Sequence, residues 1–144
     1  MLKNWRFATL IFAAIVVAIL TVDWAFARAR LPGITIETEL ETPEVIADGN
    51  DTAKFVVRVS ENGQPRDHDL LQIWLVKGTG QLIPKWVFTD DQGEATVTFT
   101  PAPYNRYDPQ DVVEIAIMDT NVGRLIEVGK NTTIEIPLVI PTTE

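Results

Sequence analysis

Sixteen consecutive positions, residues 7–22, carry no charge, running from Phe7-Ala8-Thr9-Leu10 to Leu20-Thr21-Val22. A stretch of this kind has no stable place in water as an isolated surface. Near the start of a chain it is either a signal peptide or a membrane span. Asp23 interrupts it, and Trp24-Ala25-Phe26-Ala27 then extends its apolar character. Trp5 and Trp24 lie nineteen residues apart, about 28 Å along a helix. That separation suits a hydrocarbon core of roughly 30 Å with an indole at each interface.

Two readings follow. A cleaved signal peptide would use the small-residue site Ala25-Phe26-Ala27 before Arg28, and a mature chain starting at Arg28 would identify it. A retained anchor would place residues 5–27 in the bilayer, with Trp5, Phe7, Ile11, Ile15, Ile19 and Trp24 as its lipid-facing and interfacial residues. The anchor is carried forward, because the apolar run is long for a signal centre. Lys3 and Arg6 precede the run, which sets the N-terminus on the cytoplasmic side and the rest of the chain outside.

Charge divides the chain at the same place. Residues 1–30 hold four basic residues against Asp23, while residues 31–144 hold eight basic and nineteen acidic ones. The acidic body argues against nucleic acid, whose phosphates require a basic surface. Chemistry is limited as well. The sequence contains no cysteine, one histidine and one serine. Thiolate metal sites, thiol catalysis and most acid–base machinery therefore lack parts. No enzyme activity and no cofactor is expected.

From residue 31 onward the apolar residues recur with period two. Ala53, Phe55, Val57 and Val59 form one such series, Ala95, Val97 and Phe99 a second, and Ile134, Ile136 and Leu138 a third. Alternation of this kind puts one face of a strand against a core. The sixteen threonines against one serine suit strands through their branched Cβ. Turn signals at Asp48-Gly49-Asn50, Asn62-Gly63-Gln64-Pro65, Gly78-Thr79-Gly80 and Asp91-Gln92-Gly93 separate the runs. Seven strands are predicted, over 34–40, 52–60, 69–76, 85–89, 94–100, 111–118 and 131–140. The expected architecture is all-β: one seven-stranded sandwich over 31–144 behind an N-terminal transmembrane helix over 1–30.

Four motifs in order carry a family resemblance. Ala47-Asp48-Gly49 with Thr52-Ala53, then Asn62-Gly63-Gln64-Pro65, then Gly78-Thr79-Gly80-Gln81-Leu82, then residues 89–97 resemble bacterial immunoglobulin-like domains of the invasin and intimin type. The resemblance covers about residues 34–140 and departs from the repeat pattern at Pro101 and the Tyr104-Asn105-Arg106-Tyr107 loop. It implies an adhesion or spacer sandwich, a bacterial source and no catalysis. With the anchor, it implies an inner-membrane protein whose body lies in the periplasm or outside the cell.

Candidate sites are few. His68 between Asp67 and Asp69 reads as a solvated loop rather than a metal or catalytic site. Asp48, Asn50, Asp51, Asp108 and Asp111 are expected at the end far from the membrane, and Asp67, Asp69, Asp90 and Asp91 at the near end. Neither group has the spacing of a calcium loop, so no bound metal is expected. The run Leu70-Leu71-Gln72-Ile73-Trp74-Leu75-Val76 is apolar on both faces. The resemblance turns Trp74 inward and leaves Leu71, Ile73 and Leu75 outward. They would then be a partner surface, or be covered by the 101–110 loop. Trp86, Tyr104 and Tyr107 are the aromatic candidates among the distal loops. The expected role is an accessory subunit held among other membrane-complex subunits. The alternative is an adhesin acting through its distal loops.

Overall fold

A chain whose apolar residues alternate must pair its strands into sheets and turn the apolar faces toward each other. The computed structural model, which describes residues 2–141, does this with ten strands in two five-stranded sheets behind one long helix. Met1 and residues 142–144, at the outer limits of the two expected segments, lie outside the described residues, as do the side chains of Leu2, Lys3 and Asn4.

The helix α1 spans Leu2–Arg30, about 43 Å at 1.5 Å per residue. It is long and apolar enough to cross a membrane. Its side chains from Trp5 to Phe26 are mostly uncovered by the rest of the protein, as a lipid-facing helix requires. One 3-10 turn, Leu31–Gly33, joins it directly to β1.

The strands are β1 (Ile34–Leu40), β2 (Val45–Ile46), β3 (Ala53–Glu61), β4 (Gln64–Pro65), β5 (Leu70–Lys77), β6 (Gly80–Ile83), β7 (Trp86–Phe88), β8 (Glu94–Pro101), β9 (Val112–Asp119) and β10 (Lys130–Val139). Each of the seven predicted runs lies on one of these strands. The three missed strands, β2, β4 and β6, are too short or too glycine-rich to show a period. The first sheet runs β1-β3-β8-β6, with β4 folded back on β3. The second runs β2-β10-β9-β5-β7. All pairs are antiparallel except β2 with β10. The chain thus changes sheets between β1 and β2, so residues 34–46 border both layers.

The core lies between the sheets. Ala53, Phe55, Val57 and Val59 of β3 face it together with Ala95, Val97 and Phe99 of β8. Leu71, Ile73, Val113, Ile115, Ile117 and Ile136 meet them from the second sheet. Register decides which side chains take part. Ala53 stands opposite Phe99 and Phe55 opposite Val97 within the first sheet, so each phenylalanine has a smaller cross-strand neighbour on the core face.

One face assignment is corrected here. Leu71 and Ile73 are 0% and 1% exposed, and Leu75 packs against the same core. The outward positions of β5 are Leu70, Gln72, Trp74 and Val76. The reason is pairing: Leu71 stands opposite Val87 and Ile73 opposite Ile117, both turned to the interior. Leu71 and Ile73 are thus not available as a partner surface, and Leu75 turns to the same core. The 101–110 loop does not cover them; it closes the distal end, where the Tyr104 N–H donates to the Ala47 carbonyl at 2.8 Å.

Candidate functional site

The features that distinguish this sandwich gather at the end nearest the helix. Antiparallel strands bring the 62–69, 89–93 and 120–129 segments there beside the helix exit. Asp23, about two turns before the helix end, accepts backbone hydrogen bonds from Arg124, Leu125 and Ile126 at 3.3, 2.8 and 2.9 Å. A carboxylate in an apolar helix is costly unless its charge is compensated. Here the loop supplies the compensation, and the loop's own amides gain an acceptor. Ala27, one turn on, is fully buried beside Val122 in the core. Gly123 lets the loop close on itself: a Cβ there would fall 2.0 Å from the Ile126 carbonyl oxygen, in the residue whose N–H reaches Asp23.

A charge network lies above this contact. Arg30 donates through Nε and Nη2 to the two carboxylate oxygens of Glu61 at 2.7 and 2.5 Å, and through Nη1 to the Val122 carbonyl at 3.3 Å. Planar two-point pairing of this kind fixes orientation as well as distance. Arg66 lies within 2.5 Å of Asp69, 3.5 Å of Asp119 and 3.8 Å of Glu61. The Asp119 side chain is fully enclosed, and Arg66 is nearly so. Burial pushes the Asp69 carboxyl above its ordinary value, the neighbouring Asp119 charge adds to this, and Arg66 opposes it. Burial also raises Asp119, against the Asn121 N–H and the Arg66 charge. Glu61 is lowered, first by its hydrogen bonds from Arg30. Two guanidiniums therefore hold three carboxylates, and two of those carboxylates are desolvated.

None of this was singled out in the sequence. The sequence places Asp69 among the near-end loop acids, but it turns inward, and its N–H and carbonyl engage Thr89. Asp67, His68 and Asp91 remain exposed, with ligand atoms within 4.8 Å of one another. Asp48 accepts the N–H groups of Asn50 and Asp51, and Asp90 those of Gln92 and Glu94. These acids shape turns with their oxygens.

The outer face of the second sheet carries a different feature. Leu70 stands opposite Phe88 and Gln72 opposite Trp86, so Trp86, Phe88 and Trp74 share that face with Leu70. Trp86 is 52% exposed, and Phe88 and Trp74 are exposed as well. Trp86 thus belongs to the edge strand β7 and not to the distal loops, because its backbone pairs with β5. Tyr104 lines a distal hollow with Ala47, Thr79 and Gln110. Tyr107 is 80% exposed, beneath the Arg106 guanidinium.

No protein-family model matches the sequence, and no curated protein matches it. Among solved structures, the chain is similar to the D00-D0 domain of intimin at 18% identity and a TM-score of 0.53, over 72% of this chain and 46% of that one. It is also similar to the C-terminal 282-residue fragment of intimin, solved in complex with the intimin-binding domain of the translocated intimin receptor. That match has 19% identity and a TM-score of 0.55, over 73% of this chain and 32% of the other. The chain spans less than half the length of either. At these identities the likeness defines the fold: an immunoglobulin-like β-sandwich of the invasin and intimin type, as the turn motifs implied.

Proposed function

We propose that this protein is a non-enzymatic, single-span accessory subunit of a bacterial inner membrane, with its N-terminus in the cytoplasm. Its immunoglobulin-like body braces the outer side of a larger membrane complex. The observation that carries this reading is the junction. Asp23, Ala27 and Arg30 each engage the sandwich, and a 3-10 turn takes the place of a linker. A binding module that searches for distant ligands gains from a long or flexible stalk. A body fixed at one angle on its helix instead offers one surface to neighbours in the same membrane. The aromatic face at Trp74, Trp86 and Phe88 supports this, since tryptophan-rich exposed faces favour protein contact.

The adhesin alternative rests on the exposed Tyr107 at the distal tip. It also draws on the intimin fragment, which was solved with a receptor domain bound. Photo-crosslinkers placed at Trp86 and at Tyr107 of the full chain, in cells, separate the readings. The accessory role expects crosslinks from position 86 to membrane-embedded subunits. Crosslinks from position 107 alone, to surface or external proteins, refute it and favour the adhesin.

A further inference from the structure

The loop over residues 122–127 is tied to the helix at a depth where the helix is still apolar. Its three amides hold Asp23, adjacent to Trp24. The tip residues then reach along both sides of the helix toward the bilayer centre. Leu125 lines one groove with Ile19, Val22 and Phe26. Ile126 lines the other with Val17, Leu20, Thr21 and Trp24. Val17 lies seven residues before Trp24, about 10 Å deeper along the axis. Leu125 is 64% exposed, in a position where exposure means contact with lipid.

The Leu125 groove encloses about 530 Å³, and its only polar lining comes from Asp23, Arg30 and Arg124. Asp23 is occupied by three amides and Arg30 by Glu61. Arg124 is exposed at this lining, and Arg28 lies over the Trp24 ring at 5.4 Å. An apolar trough at interfacial depth, whose Arg124 guanidinium makes no hydrogen bond or ion pair among the described residues, matches one amphiphile, a chain with a phosphate at its head. We propose that this groove seats a glycerophospholipid of the outer leaflet. One acyl chain lies along Ile19, Val22 and Phe26, the phosphate rests on Arg124, and Leu125 is immersed beside it. The loop is then a second membrane contact that sets the height of the sandwich above the bilayer.

The inference rests on the anchor reading, and the test separates the two. The chain has no cysteine, so Phe12→Cys, Leu125→Cys and Tyr107→Cys each give one labelling position on exposed side chains of the full-length protein. The labelled proteins are placed in nanodiscs of phosphatidylethanolamine and phosphatidylglycerol, with and without chain-brominated lipid. The proposal expects quenching at 12, quenching at 125 of at least half that size, and none at 107. Quenching at 12 without quenching at 125 overturns the lipid site and leaves the anchor standing. No quenching at 12 overturns both, and quenching at 107 overturns the upright placement. Native mass spectrometry in mild detergent adds the headgroup. Arg124→Gln should reduce retained phosphatidylglycerol several-fold, and Arg124→Lys should restore most of it. Equal retention by Arg124→Gln and the unaltered protein overturns the phosphate seat.

Discussion

Replacing Arg66 by methionine tests whether the charge network is truly desolvated. The substitution keeps an unbranched apolar stem and removes the guanidinium and its charge. Asp69 and the fully enclosed Asp119 would then face each other with Arg30 as the nearest remaining cation. Removing one partner of a buried ion pair costs about 3–5 kcal/mol, because the remaining charge stays buried and uncompensated. For a body of this size each kcal/mol lowers Tm by about 4 °C, so a drop of about 10–20 °C is expected at pH 7. The pH dependence carries the sharper test. Both carboxyls already sit above the ordinary value of 3.8, chiefly through burial, and Arg66 opposes that rise in each. Without Arg66 they rise further. A carboxyl raised in the folded state binds its proton there before the unfolded chain does. Between 3.8 and the folded value, stability therefore increases as pH falls, and this contribution is lost as pH rises through the folded value. The deficit of Arg66→Met should shrink steadily from pH 7 toward pH 4.5. Thermal unfolding of the full chain in detergent, followed by tryptophan fluorescence at each pH, measures it. A deficit constant across that range, or one below about 1 kcal/mol at pH 7, refutes the argument.

Asp23→Ala removes the acceptor for three amides. Hydrogen exchange at residues 124–126 should accelerate at least tenfold while β3 and β9 stay protected. Gly123→Ala should give the same pattern, because its Cβ would collide with the Ile126 carbonyl; unchanged exchange in both would show that the loop does not depend on the helix. Leu71→Ala should cost about 2–5 kcal/mol, as for other buried aliphatics. Trp74→Gln, on the outer face, should leave the denaturation midpoint nearly unchanged. The reverse order would restore the inward tryptophan that the family pattern implies.

The strands were legible because their period is short and local. Ala53 to Val59 and Ala95 to Phe99 announce their buried faces by alternation alone. Leu70 to Val76 did not, since both faces are apolar and only the pairing with β7 and β9 selects one. β2 and β4, two residues each, escaped for lack of length, β6 because it opens on Gly80, and β2 depends entirely on its parallel neighbour β10. The junction was illegible for a different reason. Asp23 and Leu125 are 102 positions apart, and Arg30 and Glu61 are 31 apart. Asp69 and Asp119 resemble turn acids until the fold brings Arg66 between them. Charge partners fixed by tertiary contact leave no periodic trace in the sequence.

The unbroken passage from helix to first strand makes the molecule a lever. β10 alone has ten residues, about 33 Å at 3.3 Å per residue. A helix tilt of about 10° would then sweep the far tip sideways by about 6 Å, worked from that strand length. In a protein anchored as proposed, shifts in bilayer thickness, or rearrangements among neighbouring spans, would be read out at Tyr104 and Tyr107 as lateral displacement.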